Sequence, residues 1–496
     1  MPNYFYDMLP EAEMTQLKYI PTIPEYLEWI TAKWADRPAL SDKTATYTYA
    51  QMGQRIARRR AYLNALGLAK GDKVAIWDRT SIDAVEMFLA ATSAGYMAII
   101  LPTQLPVQAV VGSCMKFGVK VLAAGNDFAG QLPETPFKVI PAGSMAEDEA
   151  PLAIVDKDDP AAIFFTGGTT GAPKGAILPH RALMRGAFNG CFAPGSQLFG
   201  HRIIGFLPLS HVFGLIRGTL SSLFIGAEWF AAEDMKETIG RLPQIRPTLL
   251  VLVPGLCEIL YGLTKMYGPA FLGGELKTII AGAANVPPRL IKAYGEMGIR
   301  LLAGYGLTEA GNLTTGNADV ETHPTSIGKV YPEQEIKLVD GEIWIKGDNL
   351  FLGYYGDPEK TAEALTPDGW LRTGDLARID EDGFVYIVGR IKNLIILSNG
   401  ENISPEAIEE PFYKCDALKD CLVREDMSGE TPVIAIEILP RSEAIVGWSE
   451  EQTETFFRKL VDDYNATAPT THRISKVIVR KEDFKRTGTL KVSRNQ

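Results

Sequence analysis

The stretch FFTGGTTGAPKG, residues 164–175, is the most informative in the chain. The apolar run before it, residues 161–165, predicts a buried strand that leads into a loop of glycines, threonines and one lysine. Glycines let backbone N–H groups approach an anion closely, hydroxyl groups add donors, and a lysine supplies a mobile positive charge. The stretch therefore predicts a phosphate-binding loop at the end of a buried strand.

This loop differs from two well-known nucleotide-binding patterns. A Walker A loop places a serine or threonine directly after its Gly-Lys pair, whereas Lys174 lies between Pro173 and Gly175. The GxGxxG pattern after a strand, which marks nicotinamide- and flavin-binding Rossmann folds, is also missing. P-loop kinases, GTPases and dinucleotide-binding dehydrogenases are therefore excluded.

Short, unbroken apolar runs continue on both sides of the loop. Runs at 74–77, 98–101, 249–253 and 278–281 alternate with helical patterns such as 81–94, which predicts an α/β architecture with strands covered on both faces. From about residue 342 the pattern changes to alternating strands and tight turns, and after residue 390 to a compact α+β pattern. We expect an internally divided body, residues 1–390, and a small C-terminal domain, residues 391–496.

Composition narrows the class of protein. The chain has 496 residues, 46% apolar and 22% charged, which excludes disorder, collagen and coiled coil. Its net charge of −10 argues against nucleic-acid or anionic-membrane partners, and the run Arg58-Arg59-Arg60 is interpreted as a solvated helix face. Five cysteines without a CxxC pair favour a reducing cytoplasm. The N-terminus does not resemble a secretory signal, and no apolar window is long enough to span a bilayer.

Further segments combine residue types that bind ligands. They read LPLSHVFG (207–214), GYGLTE (304–309), WLRTGDL (370–376) and RTGTLK (486–491). Each segment alone has an ordinary alternative: a histidine packed in a core, two glycine turns, and a basic tail.

Taken together, the Thr/Gly/Lys loop, GYGLTE, RTGDL and Gly389-Arg390 resemble the AMP-forming adenylate enzymes in order and spacing. This superfamily comprises acyl-CoA synthetases, peptide-synthetase adenylation domains and firefly luciferase, and the resemblance spans about residue 40 to the end. It implies an α/β fold whose large N-terminal domain contains αβ-layered subdomains and a distorted β-barrel. The small, mobile α+β C-terminal domain would carry the catalytic lysine.

The resemblance also implies an ATP site. Its residues are Thr166, Gly167, Gly168, Thr169, Thr170, Gly171, Lys174, Gly304, Tyr305, Gly306, Thr308, Asp375 and Arg390. The loop and Lys174 would grip the β- and γ-phosphates, Tyr305 would stack on adenine, and Asp375 would accept both ribose hydroxyls, assisted by Arg390.

The catalytic residues that the resemblance implies are Lys491, Glu309, Thr308 and His211. Lys491 would lie between the substrate carboxylate and the α-phosphate, which Thr308 also contacts. Glu309, with Thr166, would hold Mg²⁺.

The remaining implied residues concern the acid and the thiol. The acyl pocket would be lined by His211, Val212, Phe213, Gly282, Ala283, Ala284, Gly304, Ala310 and Gly311. Because most of these residues are small or apolar, we expect an uncharged organic tail, aliphatic or aromatic. Lys392 would be the hinge between two placements of the C-terminal domain, and Ser398, Asn399 and Gly400 would face the site during thioester formation.

The implied activity is that of an acyl-CoA synthetase using ATP, Mg²⁺ and coenzyme A. A carboxylic acid and ATP give an acyl-adenylate and pyrophosphate, and the thiol of CoA then displaces AMP. One alternative is transfer to a carrier-protein thiol in trans, although Leu272-Gly273-Gly274 is followed by Glu275 and lacks the serine that would carry a phosphopantetheine arm. Another is an ATP sensor without turnover.

An amino-acid substrate is disfavoured because no aspartate follows Phe213 to pair its ammonium group. Hydrolases are disfavoured because GxSxG and HExxH are missing.

Overall fold

The computed structural model describes Phe5, Glu13 and residues 15–166, 174–192, 198–396, 402–426, 433–486 and 492–494. In chain order its strands are β1 Pro38–Ser41, β2 Thr46–Thr48, β3 Lys73–Trp77, β4 Met97–Ile100, β5 Val119–Ala124, β6 Lys138–Pro141, β7 Pro160–Thr166, β8 Lys174–Pro179, β9 Arg202–Gly205, β10 Glu228–Ala231, β11 Leu249–Leu252, β12 Thr278–Ala281, β13 Arg300–Tyr305, β14 Thr315–Asn317, β15 Lys329–Val330, β16 Gln334–Val339, β17 Glu342–Gly347, β18 Gly353–Tyr354, β19 Leu371–Ile379, β20 Val385–Arg390, β21 Ile395–Ile396, β22 Asn402–Ile403, β23 Leu418–Asp426, β24 Val433–Pro440 and β25 Lys476–Val479.

The α-helices are α1 Ile23–Lys33, α2 Tyr49–Ala65, α3 Ile82–Ser93, α4 Val107–Phe117, α5 Asn126–Ala129, α6 His180–Asn189, α7 Ser221–Phe224, α8 Met235–Gly240, α9 Leu242–Ile245, α10 Pro254–Tyr267, α11 Pro288–Glu296, α12 Pro358–Ala364, α13 Pro405–Glu409 and α14 Glu450–Thr467. The 3₁₀ helices are Pro269–Leu272, Thr308–Ala310, Ile391–Asn393, Glu410–Lys414 and Thr470–His472, and Phe213–Leu220 forms a π-helix.

Two sheets position the candidate site. In the seven-stranded sheet, of order β18-β8-β7-β4-β3-β5-β6, strands β4, β3 and β5 are parallel while β8 returns antiparallel to β7. In the five-stranded sheet β11 to β15, strands β11, β12 and β13 are parallel. The strands β3, β4, β7, β11 and β12 confirm the predicted apolar runs. Their residues are buried because helices cover these strands, as in other α/β proteins.

Side-chain caps explain where several helices begin. Thr48 and Gln51 form a reciprocal capping box at the start of α2, and Ser81 caps α3 through the backbone N–H of Ala84. Ser449 and Gln452 form the predicted capping box of α14. These contacts satisfy N–H groups that have no partner within the helix.

The pattern change near residue 342 corresponds to an antiparallel sheet of order β16-β17-β19-β20. Gly383, in the turn before β20, has φ +83°, which confirms the hairpin predicted from Asp382-Gly383. The sheet is open within the described part of the chain, and an isolated bridge between Gly328 and Val385 connects it to the preceding strands.

The C-terminal residues have their own core. Apolar side chains from β22, α13, β23, β24 and α14 pack together, Ile403, Ile408, Ile436 and Phe457 among them. This core touches the body through an ion pair of 3.3 Å between Arg441 and Glu258, and Glu258 also accepts from Arg289. A separate core fits a C-terminal domain at residues 391–496, and the boundary itself stays a prediction.

The interpretation of Arg58-Arg59-Arg60 as a solvated face is wrong. Arg59 is fully buried and Arg60 is 4% exposed. Arg59 donates to Glu86 at 2.8 Å and to the carbonyl of Ala142 at 2.6 Å, so its charge is neutralised and its N–H groups are satisfied. Glu86 lies on α3, far from the arginines in sequence, and nothing local to the run indicates this partner.

All five cysteines are free thiols, as expected. Among the helices of the described residues, none combines the length and apolar character needed to cross a bilayer.

Candidate active site

The predicted ribose-binding carboxylate, Asp375, lies in an irregular part of β19. The pairing register shifts between Glu342 and Trp344 in β17 and again after Leu376 in β19. Gly374 has φ +71°, and its N–H donates to Glu342 Oε1 at 2.7 Å. These bulges turn the Asp375 side chain into the interior, because a bulge changes the direction of the residues beside it.

The buried Asp375 forms a cluster with the half-buried side chains of Tyr305 and Arg390. The Tyr305 hydroxyl donates to Oδ2 at 2.6 Å, and Arg390 Nη2 donates to the same oxygen at 3.3 Å. Arg390 Nε is 2.5 Å from Oδ1, yet this oxygen receives no well-directed hydrogen bond. Arg390 and Asp375 therefore attract each other electrostatically, while Oδ1 keeps the capacity to accept a hydrogen bond from another donor. A buried carboxylate oxygen in this state fits a ligand hydroxyl.

The surroundings of Tyr305 and Arg390 determine the protonation of these two side chains. Burial raises the pKa of the Tyr305 hydroxyl, and the neighbouring Asp375 charge raises it further, so the phenol stays neutral. Burial opposes the charge of Arg390, but Asp375 outweighs it and the pKa of Arg390 is raised. The arrangement is therefore a carboxylate held between a neutral donor and a permanent cation.

The turn after Tyr305 requires its glycine. A Cβ at Gly306 would lie 1.0 Å from the carbonyl oxygen of Asn312, so no other residue fits without moving the turn. A 3₁₀ helix, Thr308–Ala310, follows, and Gly311 ends it with φ +55°. Gly304, Tyr305, Thr308 and Glu309 are thus held at the end of β13, all of them half-buried.

A second cluster joins Glu309, Tyr354 and Lys174. The Tyr354 hydroxyl donates to Glu309 Oε1 at 2.7 Å, and Lys174 Nζ lies 4.8 Å from the centre of the Tyr354 ring. Burial and the Glu309 charge raise the pKa of Tyr354, which keeps it a donor. Sequence reasoning missed Tyr354, because only the pairing of β18 with β8 brings it beside Lys174.

The two ends of the predicted phosphate-binding loop lie opposite one another. Thr166 is the last residue of β7 and pairs with Lys174, the first residue of β8. The five predicted residues between them, Gly167, Gly168, Thr169, Thr170 and Gly171, lie outside the described residues. The same holds for Ser398, Asn399, Gly400 and Lys491.

Lys392, in the 3₁₀ helix that follows Arg390, acts electrostatically on both clusters. Burial lowers the pKa of its ammonium group, and so do the charges of Arg390 and Lys174, while Asp375 and Glu309 raise it. Three cations, Arg390, Lys392 and Lys174, therefore act in one region together with the carboxylates of Asp375 and Glu309. Such clustered cations suit a polyphosphate in an otherwise acidic protein.

Glu309 is compatible with a magnesium site. Tyr354 occupies one carboxylate oxygen and thereby orients the group, while the other oxygen has no protein partner among the described residues. Mg²⁺ commonly binds one or two carboxylates together with substrate phosphates, so a single glutamate near Lys174 fits this chemistry.

The predicted acyl-pocket residues come from three elements. The Phe213 ring lies against Gly282, since a Cβ there would be 3.0 Å from Phe213 Cζ. His211 Nδ1 accepts from the Phe213 N–H at 3.2 Å, and burial lowers the pKa of the imidazole. His211 is therefore neutral at pH 7, with its proton on Nε2.

Other predicted pocket residues differ in exposure. Val212 and Gly282 are buried, Ala284 is half-buried, and Ala283 is exposed with φ +65°, an unusual conformation for alanine. Ala310 is completely buried and its carbonyl accepts from Asn349 at 2.9 Å. Gly311 packs on α6, where a Cβ would lie 2.6 Å from the Ala182 carbonyl oxygen.

Comparison with known proteins identifies the family. The model of the AMP-binding enzyme family matches residues 27–355, and that of the AMP-binding enzyme C-terminal domain matches residues 392–496. The chain belongs to the AMP-binding enzyme family. The resemblance inferred from the sequence motifs is thereby confirmed.

Relatives of this AMP-binding enzyme are CoA ligases. It is 31% identical to a feruloyl-CoA synthase of Amycolatopsis sp over 396 residues, 76% of this chain and 80% of the relative. It is 28% identical to the mitochondrial medium-chain acyl-CoA ligase ACSF2 of Homo sapiens over 509 residues, 86% and 80% of the two chains. The enzyme is accordingly an acyl-CoA synthetase, and these relatives do not favour the carrier-protein alternative.

Solved structures agree in fold. ATP-bound MatB from Rhodopseudomonas palustris has a TM-score of 0.82 at 24% identity, covering 95% of this chain and 97% of that one. The o-succinylbenzoate CoA synthetase MenE of Bacillus subtilis, with its acyl-adenylate intermediate, has a TM-score of 0.80 at 23% identity, covering 97% and 98%. The AMP-binding enzyme therefore has the predicted α/β fold with a large N-terminal and a smaller C-terminal part.

Proposed function

We propose that the clusters around Asp375 and Glu309 form the nucleotide site in which a carboxylic acid is adenylated before its transfer to CoA. The observation that carries the proposal is the buried Asp375 carboxylate, whose Oδ1 lacks a well-directed donor while Tyr305 and Arg390 hold Oδ2. The two ribose hydroxyls of ATP supply the missing donors. The Tyr305 ring, fixed by this hydrogen bond, forms a surface for adenine.

The phosphates extend toward the second cluster. Lys174 and the loop that starts at Thr166 bind the β- and γ-phosphates, and Thr308 donates to the α-phosphate. Glu309, oriented by Tyr354, holds Mg²⁺, which when bound offsets the phosphate charge. Lys392 and Arg390 add positive charge on the same side.

In the first step, a carboxylate oxygen of the acid attacks the α-phosphorus. The bond from that phosphorus to the bridging oxygen breaks, and pyrophosphate leaves with the bond electrons. The Lys491 ammonium stabilises the negative charge that develops between the two groups. In the second step, the CoA thiol loses its proton to solvent and its sulfur attacks the acyl carbonyl, and AMP leaves.

The two steps use different placements of residues 391–496. Rotation at Lys392 withdraws Lys491 and brings Ser398, Asn399 and Gly400 to the thiol side. The C-terminal core is separate from the core of the body, as a rigid-body rotation requires. The ion pair of Arg441 with Glu258 is one contact that such a movement would exchange.

The acid enters beside Phe213 and Gly282. Small residues at Gly282, Ala284 and Gly304 leave room for an organic tail, and neutral His211 closes one side without introducing a charge. Two of its relatives are a feruloyl-CoA synthase and a medium-chain acyl-CoA ligase. We propose an uncharged body for the tail and a cytoplasmic enzyme.

A separation of the half-reactions tests the proposal. Lys491→Ala abolishes acid-dependent exchange of pyrophosphate into ATP, yet it retains thioester formation from a supplied acyl-adenylate. Lys481→Ala is the matched control, because Lys481 is an exposed lysine of the same segment paired with Glu450. Equal loss of both half-reactions in Lys491→Ala would contradict the two-placement account.

A further inference from the structure

Arg217 is a buried cation without an acidic partner. It lies in the π-helix Phe213–Leu220 and is 3% exposed. Within the described ranges its guanidinium has no carboxylate within 4 Å and no hydrogen-bond partner, and the ionisable groups that act on its charge are Tyr331 and Cys191. An arginine stays charged in such surroundings, so its five N–H donors require acceptors.

Two other buried arginines, Arg59 and Arg60, have hydrogen-bond partners for their guanidinium groups, whereas the Nε of a third, Arg185, has none. Arg60 is 4% exposed, but it donates to the carbonyls of Ala150 and Pro151 and to the Ser93 hydroxyl. Arg217 therefore differs from Arg60 in its partners and not in its burial. Replacing an unpaired buried charge by an apolar side chain commonly stabilises a protein, so fold stability does not account for an arginine here.

The position of Arg217 connects it to the proposed acyl pocket. It follows Phe213, which lies against Gly282, by four residues, which is about one turn of a π-helix. A Cβ at Gly186 of α6 would be 2.1 Å from the Gly311 carbonyl oxygen and 2.9 Å from Ile216. The π-helix, α6 and the turn at Gly311 therefore meet where the acid enters.

Arg217 lies at the far side of this junction. One turn further along α6, a Cβ at Gly190 would be 2.8 Å from Arg217 Cδ. Tyr331, the other neighbour of Arg217, lies over Gly316, and Gly316 pairs with Gly304 across β13 and β14. Arg217 therefore lies beside α6 and near Tyr331, and both α6 and the strand that Tyr331 covers contact residues of the proposed acyl pocket.

Neighbouring amides also lack partners. Asn312, next to Gly311, is 5% exposed and its Nδ2 makes no hydrogen bond. Asn189, next to Gly190, is 2% exposed and its Nδ2 is likewise without a partner. Buried donors without acceptors are rare in proteins, and several near one another indicate that an acceptor is missing from the protein alone.

From these contacts we infer that the acid substrate carries an oxygen acceptor at the end remote from its reacting carboxylate, and that Arg217 selects it. This inference rests on the proposed function. A carbonyl, phenol or second carboxylate at that end supplies what the guanidinium lacks, whereas a methyl end leaves the charge unpaired. The expectation of an uncharged organic tail is thereby modified at its far end, where a second carboxylate would also be accepted.

The test compares matched acids in the full-length enzyme. Alkanoates of about six to ten carbons are compared with oxoalkanoates and dicarboxylates of equal length, and cinnamate is compared with 4-hydroxycinnamate. The kcat/KM for each acid is measured from the rate of pyrophosphate release. The wild type prefers an oxygen-tipped acid over its apolar match. Arg217→Met reduces kcat/KM for that acid about 100-fold and keeps or raises kcat/KM for the apolar match, because the variant no longer leaves a buried charge unpaired when the apolar acid binds.

Thermal unfolding separates selection from a structural role. Arg217→Met keeps or raises the melting temperature, whereas Arg60→Met, the equally buried control, lowers it and leaves selectivity unchanged. Arg217→Lys, which retains the charge but not the planar fork, shows a reduced preference. An apolar preference in the wild type, or equal selectivity in wild type and Arg217→Met, would overturn the inference and leave the proposed function intact. Absence of pyrophosphate release with every acid would instead refute the proposed function.

Discussion

Substitution of Asp375 by asparagine tests the nucleotide site most sharply. Asparagine keeps the shape of the side chain but removes the charge that Tyr305 and Arg390 surround. It retains one acceptor oxygen in place of two, so at least one ribose hydroxyl loses a charged partner. Hydrogen bonds to charged groups contribute about 1.5–3 kcal/mol, which corresponds to about a 10- to 150-fold rise in the KM for ATP.

Folding stability changes less than ATP binding. Arg390 is 39% exposed, so solvent partly compensates for the lost ion pair and the cost is on the order of 1 kcal/mol. The assay is acid-dependent pyrophosphate exchange at varied ATP, with thermal unfolding in parallel. The KM for the acid stays within about twofold of the wild-type value, because Asp375 does not contact the acid.

Asp426→Asn is the matched control. Asp426 is 3% exposed and paired with Lys476 at 2.6 Å in the C-terminal core, away from both clusters. This variant loses stability without any change in the KM for ATP. An unchanged KM for ATP in Asp375→Asn, with a loss of stability like that of the control, would refute the assignment of Asp375 to the nucleotide.

Three other changes have specific expected outcomes. Tyr354→Phe removes the hydrogen-bond donor to Glu309 and raises the Mg²⁺ concentration for half-maximal adenylation about 10-fold. The control Tyr355→Phe leaves that concentration unchanged, and equal Mg²⁺ dependence in both variants would contradict the orienting role of Tyr354. Gly306→Ala places a methyl group against the Asn312 carbonyl and lowers kcat/KM at least 100-fold. The control Gly262→Ala in α10, where no atom lies within 4 Å of an added Cβ, has no effect. Normal activity in Gly306→Ala would show that the turn can move. Burial lowers the pKa of His180 from 6.5 to about 4. As the pH falls, the histidine is therefore protonated in the unfolded chain before it is protonated in the folded protein. Up to about 3 kcal/mol of folding stability is lost between about pH 6.5 and about pH 4. His180→Gln removes that pH-dependent part, measured as the wild-type minus variant stability between these pH values, and parallel curves would contradict the assignment.

Local chemistry in the sequence predicted much of the site. The strand before Thr166, the turn around Gly306 and the hairpin at Gly383 depend on residues within a few positions, and each was predictable from glycine placement and apolar runs. The motifs containing Tyr305, Asp375 and Arg390 were found as separate segments, and the structure brings them together.

The features that were missed depend on contacts between distant parts of the chain. Arg59 is buried because Glu86 on another helix pairs with it, and Tyr354 reaches Glu309 because β18 joins the edge of a sheet. Arg217 lies in a π-helix, whose sequence is indistinguishable from that of an α-helix, and burial of a charge without a partner leaves no local signal. Sequence patterns therefore indicated the residues that we propose bind phosphate and ribose, and they gave no signal for Arg217.

The product stoichiometry of a single incubation tests the central claim most directly. The enzyme, ATP, Mg²⁺, CoA and a panel of carboxylic acids are incubated, and AMP, ADP, pyrophosphate and thioester are quantified together. The account predicts equal amounts of AMP, pyrophosphate and acyl-CoA with at least one acid, and pyrophosphate exchange without CoA. Formation of ADP and phosphate, or no acid-dependent product with any acid, would contradict it.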